Sequence, residues 1–315
     1  MRTDAVRPGT TRRSTLFGGL CLCCLPTLGR AAEGASLSEI GPGIFVRRGP
    51  DTEASRENDD AIANIGFIVG ERSVLVTESG GSLADGAWLR AEIVRRTDKP
   101  ISHVVLSHVH PDHCFGAGAF AQDKPTYIGH GALRAALDAR GDYYRSRLAE
   151  ILGPERTGPV VYPTLEVKDG AEIDLGGRSL AFTAHGAAHT TCDLSFRDSR
   201  SGILFPADLL FVTRIPSLDG SLLGWLKEAE RLRGLGATKA VPGHGPTLVD
   251  LAPALDDLTR YLTTLRDGTR KAIAADVPIE TAVATVGREE RDRWVLFETY
   301  HGRNVTQAYK ELEWE

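Results

Sequence analysis

The chain has 315 residues, of which 42% are hydrophobic and 25% are charged, a composition typical of globular proteins that bury a large core. This length suits one α/β domain. The formal net charge of −5 provides no basic surface for a phosphate backbone, which argues against nucleic acid and favours a small-molecule substrate.

The N-terminal segment has the features of a twin-arginine signal peptide. Arg12 and Arg13 come just before an apolar run at residues 16–28, and small residues follow that run. The run is shorter than the roughly 20 residues that a membrane-spanning helix needs, and no later run is long enough. We therefore predict a signal peptide at residues 1–31, a mature domain at residues 32–315, export to the periplasm and no permanent membrane span.

Strands and helices are then predicted in two successive groups. The first group has strands at residues 43–47, 64–70 and 73–77, a helix at 83–97 and a buried strand at 101–107. The second group has a helix at 133–152, strands at 171–175, 179–184, 194–196 and 203–205, a helix at 222–235, a strand at 240–241 and helical structure from residue 253. This order predicts two β-sheets packed together with helices outside.

A dense cluster of metal-binding residue types follows the buried strand at residues 101–107. The sequence HVHPDH occupies residues 108–113. In an extended segment His108 and His110 project to the same side, so both can reach one metal ion, whereas Asp112 and His113 can face a second. Imidazole and carboxylate groups are the ligands that zinc and related divalent ions accept.

Three later segments complete a pattern that resembles the metallo-β-lactamase superfamily. His189 follows two alanines, Asp208 follows the sequence LFPA, and His244 lies within the sequence PGHG. The resemblance covers roughly residues 40–250 and has specific motifs. It implies an αββα sandwich of two mixed β-sheets with outer helices.

The same resemblance implies a dinuclear metal site with zinc as the expected metal and iron as an alternative. Its ligands would be His108, His110 and His189 for one ion, Asp112, His113 and His244 for the other, and Asp208 as a bridge. In such a site a metal-bound hydroxide hydrolyses a small ester, thioester, lactone or related acyl substrate. Asp112 is then the catalytic residue that holds the second ion and orients the nucleophile.

Departures from known branches of the superfamily narrow this interpretation. Flavo-diiron relatives have glutamate where this chain has His110, and the main zinc β-lactamases have cysteine where it has Asp208. Both differences argue against those branches, and the second argues against penicillin-class substrates. Glu78 and Cys192 stand where relatives usually have aspartate and glycine, which affects the surroundings of the ligands but not the ligands themselves.

Two further function classes stay open beside hydrolysis. Persulfide dioxygenases share the superfamily fold and use one iron held by two histidines and an aspartate, and a non-catalytic metal-binding accessory protein would also keep the ligands. Residues 303–313 resemble the ending of SoxH-like metallohydrolases, exported relatives that accompany sulfur-oxidation or quinoprotein dehydrogenase systems. This ending favours hydrolysis and suggests a periplasmic quinoprotein system as partner, although it also fits an amphipathic helix that closes the fold.

Several residues near the predicted ligands have more than one interpretation. Cys114 and Cys192 could form a disulfide, bind a metal or pack as small apolar groups, and packing is the expectation. Arg214 could bind a substrate anion or be an ordinary exposed arginine. The histidines expected to have no metal-binding role are His103, His130, His185 and His301.

Overall fold

The computed structural model describes residues 1–2 and 36–315. The predicted signal peptide, its arginine pair and the domain boundary at residue 32 lie outside the described residues. Within the described part of the chain, no helix combines the length and the apolar character needed to cross a membrane.

The described residues form strands and α-helices that alternate along the chain. The strands are β1 (Leu37–Gly41), β2 (Ile44–Arg47), β3 (Ile65–Val69), β4 (Val74–Glu78), β5 (Ile101–Leu106), β6 (Thr126–His130), β7 (Leu165–Val167), β8 (Gly170–Asp174), β9 (Ser179–Ala184), β10 (Leu194–Asp198), β11 (Leu204–Phe211), β12 (Lys239–His244) and β13 (Val249–Asp250). The helices are α1 (Leu83–Arg96), α2 (Pro111–Cys114), α3 (Leu133–Leu152), α4 (Leu222–Arg233), α5 (Leu251–Ala274), α6 (Ile279–Thr285) and α7 (Phe297–Leu312), with 3₁₀ turns at Phe115–Asp123 and Arg288–Arg293.

Two mixed sheets form the centre of the fold. One sheet has the strand order β1-β2-β3-β4-β5-β6-β7, and the other has the order β13-β12-β11-β10-β9-β8. In the first sheet β1 to β4 pair antiparallel and β4 to β7 pair parallel. In the second sheet β11 and β12 are parallel and the other pairs are antiparallel.

Three apolar layers explain why the sheets and helices pack in this way. Side chains from both sheets, such as Val46 and Phe182, share one cluster, which places the inner faces of the sheets against each other. Leu89 of α1 and Leu137 of α3 cover the outer face of the first sheet. Residues of α4, α5 and α7, including Leu255, cover the second sheet. The predicted αββα sandwich is therefore confirmed.

Most predicted elements agree with the structure to within a few residues, but short strands were missed. Strands β1, β6, β7 and β13 were not predicted, and β11 extends to Phe211, well beyond the predicted end at residue 205. All residues of β11 are buried. Asp208 therefore lies inside a central strand, although the sequence pattern suggested that it follows one.

Candidate metal centre

The seven predicted ligands come from four places along one edge of the sandwich. His108 and His110 follow β5, and His110 has extended backbone angles just before α2 begins at Pro111. Asp112 and His113 lie on this short helix. The other ligands lie before β10, within β11 and at the end of β12, and they are His189, Asp208 and His244.

The structure brings these residues together in two adjacent groups. Ligand atoms of His108, His110, His189 and Asp208 lie within 4.8 Å of one another, and so do those of Asp112, His113 and His244. The grouping matches the one that the resemblance implied, although the role of each residue as a ligand stays a prediction. The cluster as a whole is able to bind metal ions.

Asp208 faces both groups. Its Oδ2 lies 3.3 Å from Nε2 of His189, and its Oδ1 lies 3.0 Å from Nε2 of His113. Gly243 on the neighbouring strand β12 makes room for this carboxylate, since a Cβ atom there would lie 1.9 Å from Oδ1 of Asp208. The glycine of the PGHG sequence thus has a steric role beside the predicted bridging residue.

The chemistry of the donor atoms fits a bound cation. Nε2 of His108, Nε2 of His113 and Oδ1 of Asp208 are buried and make no hydrogen bond, because the 3.0 Å contact between the last two lacks hydrogen-bond geometry. A buried polar atom without a partner costs about 1–3 kcal/mol. Coordination to a metal ion would satisfy all three atoms, so the residues present fit the metals that the resemblance implies.

Each of the five histidines uses its second ring nitrogen to contact a neighbouring oxygen. These contacts are Nδ1 of His108 with Ser107 Oγ at 3.0 Å, Nε2 of His110 with Asp219 Oδ2 at 3.2 Å, Nδ1 of His113 with Glu78 Oε2 at 3.6 Å, Nδ1 of His189 with Ser217 O at 2.6 Å, and Nδ1 of His244 with Ile62 O at 3.1 Å. Hydrogen-bond partners fix the orientation of ligating imidazoles, and four of these contacts are hydrogen bonds. The 3.6 Å contact between His113 and Glu78 is too long to be one. His110 therefore faces the cluster through Nδ1 and the other four rings through Nε2.

The electrostatics of the cluster favour positive charge at its centre. Burial lowers the pKa of His108 well below its ordinary value and lowers the pKa of His189 to about 3. Burial also lowers the pKa of His113, but the carboxylates around it outweigh burial and raise the pKa well above its ordinary value. Neutral His108 and His189 rings can donate a lone pair, and the surrounding carboxylates attract a cation.

A cavity of about 500 Å³ opens onto both groups of residues. Asp112 and Phe211 line its floor, and helix α7 supplies Tyr300, Arg303 and Gln307 to its wall. Residues 303–313 resemble a family ending in sequence, but nothing in their pattern indicates that the helix lines the site. The helix position depends on packing against α5, which local sequence patterns do not reveal.

Arg214 is also part of the cavity wall and is not an ordinary exposed arginine. It is 5% exposed, and its Nη2 donates a hydrogen bond to the Tyr300 hydroxyl at 3.0 Å. The guanidinium groups of Arg214 and Arg303 lie 5.4 and 6.0 Å from the centre of the Tyr300 ring. Two cationic side chains therefore flank one tyrosine beside the predicted metals.

The remaining candidates behave as structural residues. Cys114 and Cys192 are both buried free thiols in the core beside the first sheet, which agrees with the packing role expected for them. Buried His185 lies 2.7 Å from both Glu228 and Ser195, and buried His301 lies 2.7 Å from the Val286 carbonyl. The other two histidines expected to have no metal-binding role, His103 and His130, also lie outside the cluster.

Comparisons with known proteins agree with this architecture. Over 249 residues the chain is 28% identical to the acyl-coenzyme A thioesterase MBLAC2 of Bos taurus, covering 68% of this chain and 82% of that protein. It is 22% identical over 216 residues to a linear primary-alkylsulfatase of a Pseudomonas species, covering 57% of this chain but only 40% of that enzyme.

A solved structure and a family model extend the comparison. The stereoselective inverting sec-alkylsulfatase Pisa1 from Pseudomonas sp. superposes with a TM-score of 0.68 at 17% identity, covering 88% of this chain and 50% of that one, which shows a shared fold. The sequence model of the Metallo-beta-lactamase superfamily matches residues 58–244, more than half of the chain. Together with the αββα sandwich and the histidine-aspartate cluster, this match shows that the chain belongs to the metallo-β-lactamase superfamily.

Proposed function

We propose that this protein is an exported, dinuclear zinc hydrolase acting on a small ester, thioester, lactone or related acyl substrate. The observation that carries the proposal is the pair of adjacent ligand groups with Asp208 facing both. Curated relatives that are hydrolases of a thioester and of sulfate esters support the reaction class.

Two divalent ions in these groups would supply Lewis acidity for the acyl carbonyl and would make water nucleophilic near neutral pH. The chain's own contribution is to place charge and hydrogen-bonding groups around that reaction. Asp112 lies on the cavity floor with its Oδ2 3.2 Å from Nε2 of His244, and its side chain is 14% exposed. Burial raises the pKa of this carboxyl, but His113 and His244 outweigh burial and keep the pKa below its ordinary value, so Asp112 stays ionised and can orient the attacking water toward the substrate.

The part of the cavity wall that helix α7 forms favours substrates that carry an additional anionic group. Arg303 is exposed at the cavity, and its guanidinium group is suited to a carboxylate or sulfate. Buried Arg214 donates to the Thr52 carbonyl and the Tyr300 hydroxyl, so it adds positive charge to the wall without being free to bind the anion. We expect Arg303→Gln to raise KM for mono-p-nitrophenyl glutarate more than for p-nitrophenyl acetate. An equal effect on both esters would contradict anion recognition by this residue.

Metal analysis combined with a substrate panel tests the proposed function. Protein purified from its native periplasm should contain two equivalents of zinc and hydrolyse at least one of a thioester, a lactone and an aryl ester. One equivalent of iron with oxygen consumption on a persulfide would instead support the dioxygenase alternative. Metal binding without turnover of any substrate would support the accessory role in a quinoprotein system.

A further inference from the structure

The loop between β11 and α4 contacts two of the predicted ligands from behind. The Ser217 carbonyl accepts a hydrogen bond from Nδ1 of His189 at 2.6 Å, and Oδ2 of Asp219 lies 3.2 Å from Nε2 of His110. These acceptors orient two of the three histidines in the first group. The position of this loop therefore determines the direction in which both rings point.

Asn304 of helix α7 holds the loop on both sides of Ser217. Its Nδ2 donates to the Pro216 carbonyl at 2.7 Å, and its Oδ1 accepts from the Leu218 backbone N–H at 2.9 Å. Asn304 is 1% exposed, so water does not compete for either hydrogen bond. One amide side chain thus fixes the two residues that flank the Ser217 carbonyl.

A buried chain of hydrogen bonds fixes the orientation of the Asn304 amide. The Val286 carbonyl can only accept, so Nε2 of His301 donates to it at 2.7 Å. Burial lowers the pKa of His301, so the ring stays neutral and its Nδ1 accepts from the Tyr261 hydroxyl at 3.2 Å. The Tyr261 oxygen then accepts from Nδ2 of Asn304 at 2.8 Å. A flipped amide would place its oxygen against the Pro216 carbonyl and its NH₂ group against the Leu218 N–H, so it would lose both hydrogen bonds to the loop.

We propose that Asn304 is a positioning residue of the metal centre, which acts on His189 and His110 through the loop that carries Ser217 and Asp219. The inference rests on the metal centre of the proposed function. Asn304 lies well outside the region matched by the superfamily, residues 58–244, so this support is a feature of this chain's C-terminal helix.

The visible spectrum of cobalt-loaded protein distinguishes a change at the metal centre from a general loss of stability. The visible spectrum of bound Co²⁺ reports the number and geometry of its ligands, and titration of the apo-protein gives the affinity. We expect Asn304→Ala to weaken cobalt binding by about tenfold and to change the spectrum, as is typical when support of a ligating histidine is lost. Asn304→Asp keeps the acceptor for Leu218 but turns an oxygen toward the Pro216 carbonyl, so it should have a similar effect.

Val305→Ala is the matched control on the same helix. Val305 is fully buried in the core that α7 shares with α5, so its truncation lowers thermal stability without removing a hydrogen bond to the loop. We expect this variant to unfold at a lower temperature but to keep the wild-type cobalt spectrum and affinity. A wild-type spectrum and affinity in the folded Asn304 variants would contradict the role of Asn304 but would leave the proposed metal centre untouched. Failure of the wild-type protein to bind cobalt would overturn the proposed metal centre as well.

Discussion

Asp219 provides the most direct test of how the protein supports its predicted ligands. Its carboxylate contacts Nε2 of His110 at 3.2 Å and also pairs with Arg140 of helix α3. When Nδ1 of His110 faces the cluster, the proton on Nε2 points to this carboxylate. Replacing Asp219 with alanine removes the acceptor and its charge, so His110 loses both its fixed orientation and part of its basicity.

The magnitude follows from the exposure of the pair. Loss of such a partner typically weakens metal binding by about 10- to 100-fold, which corresponds to about 1.4 to 2.8 kcal/mol. The Asp219 side chain is 31% exposed, so water partly screens its charge. We therefore expect a loss of about tenfold for Asp219→Asn, which keeps an oxygen acceptor, and a larger loss for Asp219→Ala.

Competition between the apo-protein and a chromophoric zinc chelator measures this effect. Asp142→Asn is the control for loss of a carboxylate, because the Asp142 side chain is 91% exposed on the same helix as Arg140. Arg140→Gln tests the ion pair alone and should change zinc affinity much less than Asp219→Ala does. Unchanged zinc affinity in a folded Asp219→Ala variant would show that His110 does not depend on this contact.

Three other substitutions test separate parts of the proposal. Asp112→Asn should reduce turnover by about a hundredfold or more, equivalent to about 2.7 kcal/mol of activation barrier, while thermal unfolding shows an intact fold. Equal turnover at equal metal content would exclude Asp112 from the mechanism. Combined Cys114→Ala and Cys192→Ala should keep two metal equivalents by elemental analysis, and loss of one equivalent from folded protein would make a thiol a ligand. Replacing Arg12 and Arg13 with lysine should retain the precursor in the cytoplasm in cell fractionation, and normal export would contradict the twin-arginine route.

Two packed sheets were predictable because strand and helix periodicity is a local signal, whereas the seven clustered residues were joined into one site by their resemblance to the metallo-β-lactamase superfamily. Strand and helix periodicity extends over neighbouring residues, and the spacing of HVHPDH at residues 108–113 is itself a metal-binding pattern. Two of the strands that were missed, β7 (Leu165–Val167) and β13 (Val249–Asp250), are too short to show a clear alternation. Their pairing depends on the neighbouring strand and not on their own sequence.

The groups that support the ligands could not be found in this way. Asp219 contacts a histidine 109 positions away, and Arg214 meets Tyr300 across 86 positions. Neither residue belongs to a motif, and a single sequence holds no signal that joins such distant positions. Glu78 was found in part, because its place at the end of β4 suggested a role near the ligands but not its approach to His113.

Helix α7 links metal geometry to substrate recognition because it contributes to both. Tyr300 and Arg303 face the cavity, whereas Asn304 holds the loop behind the histidines. Glu311 accepts a hydrogen bond at 2.6 Å from the backbone N–H of Leu222 at the start of α4. Trimming a side chain on the cavity face should therefore change KM without changing metal affinity. A substitution that shifts the whole helix moves the wall and the loop together, so both quantities should change. We therefore expect relatives with the same ligands to differ in chemistry where an element outside the matched region, such as α7, differs.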